Sequence, residues 1–194
     1  MTCIAAYLKD GKAAISGDGR LSDGYLIHSD SDEKIHRIGE GKNEFLVGYT
    51  GSAGFNVCCG TVDLLRELES KKKYKDLEDL FSQYCKKMNA DSETMPWPVD
   101  LLTVTRDHIY VIYGNGWKWM RVDKDYWSVG CGREVAMGAM ELMANVYNET
   151  DASVITFNAV EVASKIQQGV GGTIRTLKLG DSGDLKKVKS KKGK

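Results

Sequence analysis

Long apolar runs, metal-ligand clusters and cysteines at metal or redox spacing are all absent from this sequence. Without an apolar run of about eighteen residues there is no candidate transmembrane helix, so we expect no membrane contact. The first residues lack the basic and apolar regions of a secretory signal, which gives no support to secretion. The five cysteines are odd in number and form no CxxC motif, which favours a reducing cytoplasm over disulfides or zinc. The three histidines are scattered, so we expect neither a metal nor a cofactor.

Charge is balanced overall but distributed unevenly. The 27 basic and 27 acidic residues cancel, yet residues 181–194 contain six lysines and two aspartates. A lysine-rich segment with few apolar residues is typical of a disordered extension. We therefore expect one domain over residues 1–180 and a tail over 181–194. Nucleic-acid binding would depend on that tail, and we expect none.

Apolar periodicity predicts alternating blocks of strands and helices. Thr2–Leu8 and Lys12–Gly17 flank an Asp-Gly pair, which favours a tight hairpin. Further strands are predicted at about Tyr25–His28, Lys34–Ile38, Phe45–Thr50, Asp100–Thr105, His108–Tyr113, Trp117–Val122, Trp127–Gly130 and Gly172–Leu179. Apolar residues at three- and four-residue spacing predict helices at about Phe55–Leu68, Leu77–Met88, Arg133–Tyr147 and Ser153–Gln167.

The element order is strands, two helices, strands, two helices and a last strand. Hairpins dominate and βαβ units are absent, so the sheets should be antiparallel. Two sheets packed face to face, with a helix pair outside each, would bury every predicted apolar stripe. We therefore expect an α+β fold, a four-layer αββα sandwich.

Thr2 is the first candidate for chemistry. A threonine hydroxyl is a poor nucleophile until a base takes its proton. At a free N-terminus the α-amine, with a pKa of roughly 7.7–8.0 in model peptides, supplies that base. Thr2 would become the terminus only after removal of Met1, and many ordinary chains also begin Met-Thr.

Three further positions could support such a nucleophile. Lys34 lies in the acidic stretch SDSDEKIHRI, where it is either a solvated surface charge or a buried ammonium that favours the reactive forms. Asp18, in the turn GDGR, could hold that lysine or could be an ordinary turn aspartate. Gly51, in GYTGSAG, could offer its N–H to an oxyanion or could form an ordinary turn.

These residues, with the segments ISGDGR, DEKIHRI, VGYTGSAG and SVGCGREVAMGAM, resemble the proteasome β-subunit superfamily of N-terminal-nucleophile (Ntn) hydrolases. Within it, the chain looks most like the bacterial HslV family. The resemblance covers about Thr2 to Leu179 in element order. It implies an Ntn-hydrolase fold and a threonine-type endopeptidase that cleaves unfolded polypeptides inside stacked homo-oligomeric rings, which an ATPase unfoldase ring can feed.

The resemblance also implies residue roles. Thr2 matches the catalytic threonine, Lys34 the essential lysine, Asp18 its partner and Gly51 the oxyanion glycine. Cys131 falls where the family usually has a serine near the terminal amine. The segment QQGVGG stands where many members have an aspartate followed by a serine.

The side chains implied to contact substrate come from the early strands. They are Leu21, Asp32, His36, Tyr49 and Ala53. Their mixed chemistry predicts no clear cleavage preference. Two alternatives remain open from the sequence: a catalytically silent subunit of such an assembly, and an Ntn amidohydrolase acting on a small amide.

Overall fold

The structure is a computed structural model that describes residues 1–22, 26–51, 55–90 and 99–180. Three predicted features lie outside the described residues: the pocket residue Ala53, the proline-containing loop 91–98 and the lysine-rich tail. Within the described ranges, no helix is both long enough and apolar enough to cross a membrane.

Eleven strands and four α-helices follow one another in the predicted blocks, counting only the described residues. The strands are β1 Cys3–Lys9, β2 Lys12–Gly17, β3 Leu21–Ser22, β4 Ile27–Ser29, β5 Ile35–Ile38, β6 Phe45–Gly51, β7 Val99–Val104, β8 Ile109–Tyr113, β9 Lys118–Val122, β10 Tyr126–Gly130 and β11 Arg175–Lys178. The helices are α1 Phe55–Ser70, α2 Leu77–Ala90, α3 Arg133–Glu141 and α4 Ala152–Ile166.

Two antiparallel sheets form the centre of the molecule. One has the strand order β10-β1-β2-β11, and the other has the order β5-β6-β7-β8-β9. The short strands β3 and β4 pair separately. Since β1 is a central strand, both of its edges are hydrogen-bonded, which fixes the start of the chain within a sheet.

Three clusters of buried apolar side chains account for the four layers. One lies between α1–α2 and the five-stranded sheet, one between α3–α4 and the four-stranded sheet, and one between the two sheets. Alternation along β1 explains how one strand serves two interfaces. Ile4 and Ala6 face the other sheet, whereas Cys3, Ala5 and Tyr7 face the helices. The predicted αββα sandwich is confirmed.

The structure differs from the prediction at some element ends and adds two short elements that were not predicted, the strand β3 Leu21–Ser22 and a 3₁₀-helix over Gly41–Asn43. The helix expected to continue to Tyr147 is α-helical only to Glu141 and continues as a π-helix over Leu142–Val146. The N-cap of α4 is Asp151, because its carboxylate accepts the Ser153 N–H at 2.8 Å. The last strand begins at Arg175 rather than at Gly172.

Candidate active site

The start of β1 is held by two hydrogen bonds with Asp18, the residue that follows β2. The Cys3 N–H donates to Asp18 Oδ1 at 2.9 Å, and the Asp18 N–H donates to the Cys3 carbonyl at 3.2 Å. Thr2 is buried, with 6% of its surface exposed. These hydrogen bonds fix the first residues of the chain at one end of the sandwich.

Lys34 forms a buried ion pair with Asp18 next to the start of β1. Its Nζ lies 3.2 Å from Asp18 Oδ1, and the two side chains are 3% and 0% exposed. Its other two N–H groups donate to the main-chain carbonyls of Arg20 and, at 3.5 Å, Met1. A buried pair is tolerated when its remaining donors are satisfied, and here all three donors of the ammonium have partners.

The Asp18 carboxylate accepts four hydrogen bonds. Oδ1 accepts from Cys3 N–H and Lys34, and Oδ2 accepts from the main-chain N–H groups of Arg20 at 3.2 Å and Gly171 at 3.1 Å. Burial raises the pKa of Asp18 above its ordinary value, while Lys34 and the Cys3 and Gly171 N–H groups lower it. These donors favour the ionised form that the lysine requires.

The carbonyl of Thr2 is enclosed by the segment between β10 and α3. The Gly132 N–H donates to it at 3.4 Å, and the Cys131 thiol donates to it at 3.5 Å. Gly130 has φ +95°, and a Cβ at this position would lie 2.1 Å from the Thr2 oxygen and 3.2 Å from Thr50 Oγ1. Only glycine permits this approach. Cys131 therefore lies beside the carbonyl of Thr2.

Gly51 is the exposed last residue of β6, opposite Val99 in the ladder. It directly follows Thr50, whose hydroxyl is close to Gly130 and hence to Thr2. The two sheets thus bring the end of β6 next to the start of β1, which places Gly51 near the candidate nucleophile.

Two of the predicted substrate-contacting side chains pack on each other. The rings of His36 and Tyr49 stack with their centroids 6.0 Å apart. The Tyr49 hydroxyl donates to the Glu33 carbonyl at 3.3 Å and lies 3.9 Å from Cys59 Sγ. Burial lowers the pKa of His36, which favours the neutral ring.

The remaining substrate-contacting candidates are less constrained. Leu21 and Asp32 are both partly buried, and Asp32 is fixed through its main-chain N–H, which donates to the Gly19 carbonyl at 3.0 Å. The described structure gives the buried Asp32 Oδ2 atom no hydrogen-bond partner. Ala53, the fifth candidate, is outside the described residues.

Two buried cysteines near the site, Cys3 and Cys58, are poor competitors for the role of nucleophile. All five are free thiols. Burial raises the pKa of Cys3 to about 12 and that of Cys58 to about 11, so both are neutral at physiological pH. Among the described residues, no group of three or more His, Cys, Asp or Glu side chains is arranged to hold a metal ion.

Sequence reasoning missed several residues that complete this site. Arg20, Thr50 and Gly171 contribute through main-chain atoms or through close packing, which residue-type patterns do not reveal. The QQGVGG segment was the one available signal. It stood out as a departure, but its N–H donor to Asp18 was not predicted.

Solved structures with the same fold define the class of protein. HslV from the eukaryote Trypanosoma brucei superposes with a TM-score of 0.78 at 17% identity, covering 91% of this chain and 98% of that one. BPH from Thiobacillus denitrificans, solved with epoxomicin, gives 0.72 at 18% identity, covering 92% and 98%. The chain therefore has the Ntn-hydrolase fold.

Sequence comparison identifies the family within that class. The chain is 30% identical over 169 residues to the "ATP-dependent protease subunit HslV" of Aquifex aeolicus, covering 85% of this chain and 90% of that protein. The subunit of the same name from Petrotoga mobilis is 29% identical over 168 residues, covering 85% and 89%. No protein-family model matches the chain. The chain belongs to the HslV family, and it is an N-terminal threonine peptidase.

Proposed function

We propose that Thr2, made N-terminal by removal of Met1, is the nucleophile of this peptidase and that Lys34 and Asp18 activate it. The observation that supports this most is the fully partnered Lys34 ammonium. It is buried behind the start of β1, and one of its donors reaches the carbonyl of the Met1–Thr2 peptide bond.

Removal of Met1 changes the site in two ways. It converts an amide nitrogen, which cannot accept a proton, into an amine that can act as a base. It also frees the Lys34 donor now directed at the Met1 carbonyl, 3.5 Å away. The Met1 side chain packs on Gly169, where a Cβ would lie 2.4 Å from its sulfur, so its departure opens space beside the terminus.

The proposed reaction then has two halves. Thr2 Oγ attacks the substrate carbonyl, its proton passes to the Thr2 amine directly or through a water, and the oxyanion forms. As the peptide C–N bond breaks, the leaving nitrogen takes that proton and an ester on Thr2 remains. Water, deprotonated by the same amine, attacks the ester, and breakage of its C–O bond releases the acid and regenerates Thr2.

Electrostatic support comes from groups already fixed in the fold. Lys34 stabilises the developing negative charge on Thr2 Oγ, and Asp18 keeps the ammonium in place. The Gly51 N–H is proposed as the oxyanion donor. Cys131 orients the terminal residue through its contact with the Thr2 carbonyl, as a weaker donor than a serine hydroxyl.

We propose that the residue before the cleaved bond contacts Leu21, Asp32, His36, Tyr49 and Ala53. The His36–Tyr49 stack gives this set of side chains a rigid aromatic part, and Asp32 gives it an acidic part. Its composition favours no single class of side chain.

Assembly and partners are proposed from the relatives and from the surface. The relatives are named as subunits of ATP-dependent proteases, which supports stacked rings of this chain, an ATPase partner ring and unfolded polypeptide substrates. Exposed apolar side chains at the end of the π-helix, Leu142, Val146 and Tyr147, offer surface for subunit packing. The free thiols support a cytoplasmic location. A native mass near that of one chain would contradict the ring.

The nucleophile is tested by covalent labelling. Intact mass should show loss of Met1, and an electrophile directed at N-terminal threonine should add one label per chain. Thr2→Ala should abolish both labelling and peptide hydrolysis, whereas the control Thr150→Ala, at an exposed position, should change neither. Retained Met1 in active protein, or a label that persists in Thr2→Ala, would overturn the proposal.

A further inference from the structure

Arg20 connects the catalytic ion pair to the loop that follows α4. Through its main chain it contacts both members of the pair: its N–H donates to Asp18 Oδ2, and its carbonyl accepts from Lys34 Nζ. Its side chain, 21% exposed, extends away from the pair towards two other segments. Arg20 is therefore placed to transmit the position of those segments to the site.

The guanidinium holds both segments by directed hydrogen bonds. Nε donates to Asp30 Oδ1 at 2.8 Å, and Nη1 donates to the Gln168 carbonyl at 3.1 Å. The fixed fork of arginine suits such a two-sided contact, because its donors are oriented before binding. The guanidinium thus ties the segment before β5 to the QQGVGG loop.

The QQGVGG loop leaves room for the Arg20 side chain. A Cβ on Gly171 would lie 2.7 Å from Arg20 Cζ, so only glycine leaves room for the guanidinium. Gly172 has φ +75°, and a Cβ there would lie 2.4 Å from the Asp30 carbonyl. That same carbonyl accepts the Thr173 N–H at 2.7 Å. Close packing therefore fixes the loop against both Arg20 and Asp30.

This packing positions one hydrogen-bond donor for Asp18. The Gly171 N–H donates to Asp18 Oδ2 at 3.1 Å, opposite the oxygen that holds Lys34. If the loop moved, the buried carboxylate would lose one of its four donors. The loop therefore contributes to Asp18 although it carries no acidic or hydroxyl side chain of its own.

We propose that Arg20 and Asp30 are positioning residues of the peptidase: their ion pair holds the QQGVGG loop so that the Gly171 N–H supports Asp18. This role rests on the proposed function of Thr2, Lys34 and Asp18. Neither Arg20 nor Asp30 touches substrate in it, and both act through Gly171 and Asp18. Loss of the pair should slow the chemical step more than it weakens substrate binding.

The pH dependence of kcat should also change when the hydrogen bond from the Gly171 N–H to Asp18 is lost. The Gly171 N–H lowers the pKa of Asp18, so its loss should raise that pKa further. The charged group facing Asp18 from the β5 side is Lys34, and the titratable group facing it from β1 is Cys3. The Thr2 amine, as the proposed base, must be neutral and therefore contributes to the low-pH limb of the kcat profile as well. The carboxylate must be ionised to hold Lys34, so the lower inflection of that limb, which reports Asp18, should move to higher pH.

The test uses the intact chain after loss of Met1, with Asp30→Asn, Arg20→Gln and the double variant. Asp30 is 52% exposed, so its substitution should leave the fold intact. We expect each single variant to lower kcat by about tenfold and to keep KM within about twofold of the wild-type value. The kcat of the double variant should equal that of the less active single variant. Asp30→Glu should restore part of the loss. The control Glu67→Gln, on α1, removes an exposed ion pair with Lys71 and should leave kcat, KM and the pH profile unchanged.

The outcomes separate this inference from the nucleophile proposal. Unchanged kcat in Asp30→Asn, or a double variant equal to the product of both singles, would overturn the positioning role while Thr2 labelling stays stoichiometric. If Arg20→Gln fails to fold, the test rests on Asp30→Asn, and wild-type kcat together with an unmoved low-pH limb in that variant would overturn the role. Loss of Thr2-dependent labelling in the wild-type chain would instead indicate failure of the proposed function.

Discussion

The two ends of the sandwich are both rich in charged residues, but the charges are arranged differently. At the start of β1, Lys34 and Asp18 are almost completely buried and fully hydrogen-bonded. At the other end of β1, a cleft of about 840 Å³ is lined by the turns after β1, β7 and β9. Its lysines, arginines and aspartates are all exposed.

This difference shows that cavity size and charge density are weak guides to a catalytic site. The charged cleft has a volume typical of ligand pockets, yet its charged groups remain in contact with solvent. Burial of a charge is costly, so a fold retains a buried pair only where it is supported and used. The end with the buried ion pair is where we expect substitutions to have large effects.

The largest effect is expected from Lys34→Met, which removes the ammonium and keeps much of the side-chain volume. The kcat/KM should fall by about 10³-fold or more because a fixed charge at the nucleophile is lost. Stability should fall by about 3–5 kcal/mol because Asp18 becomes a buried charge without its partner. Peptide hydrolysis and denaturant unfolding measure the two effects.

The double variant Lys34→Met/Asp18→Asn separates stability from catalysis. Neutralising Asp18 should recover much of the lost stability and none of the activity. Recovery of activity together with stability would mean that Lys34 acts only by holding the fold, and the contrast between the two ends would lose its catalytic meaning.

A smaller effect is expected from Gly130→Ala. A Cβ would lie 2.1 Å from the Thr2 carbonyl at a residue with φ +95°, so β10 and the chain start must separate. Displacement of a nucleophile by about 1 Å costs about 10²-fold in rate. Gly11→Ala is the matched control at the other end: its φ is +73°, but nothing lies within 4 Å of its Cβ position. It should cost only about 1–2 kcal/mol of stability and leave kcat unchanged. Equal rate losses in both variants would contradict a specific contact at Thr2.

Sequence patterns predicted those parts of the molecule that depend on local chemistry. The Asp10-Gly11 turn defines the β1–β2 hairpin, and apolar residues at helical spacing predict the helices that cover the two sheets. These features repeat at short range, so one sequence was enough to order the elements. Helix ends were less predictable, since the π-helix after Glu141 has no distinct residue signature.

Local patterns alone could not predict the proposed catalytic pair, Lys34 and Asp18. Lys34 lies in an acidic, polar stretch that by itself indicates a solvated surface, and its burial arises from contacts with Asp18 and Arg20 far along the chain. Family spacing identified both members of the pair. Gly171 could not be predicted the same way, because it acts through backbone geometry set by the packing of the layers.

A few-fold effect is expected from Cys131→Ser. The thiol now donates to the Thr2 carbonyl at 3.5 Å, and a hydroxyl is a stronger donor at shorter range. One better neutral hydrogen bond is worth about 1 kcal/mol, so kcat should rise by roughly fivefold. Cys131→Ala should lower kcat instead. A rise in both variants would indicate that the thiol obstructs the site rather than orienting the terminus.

The smallest effect is expected from Lys124→Met, the same substitution as Lys34→Met but at the exposed end. Lys124 lies 5.8 Å from the centre of the Tyr126 ring, and an exposed cation–π contact of this kind contributes about 0.5–1 kcal/mol. Its ammonium keeps its hydration, so no buried partner is left uncompensated when it is removed. Unfolding free energy should therefore change by less than about 1 kcal/mol, and kcat and KM should stay at wild-type values. A large loss of activity here would mean that the charged cleft contributes to turnover, and burial would then fail as the criterion that separates the two ends.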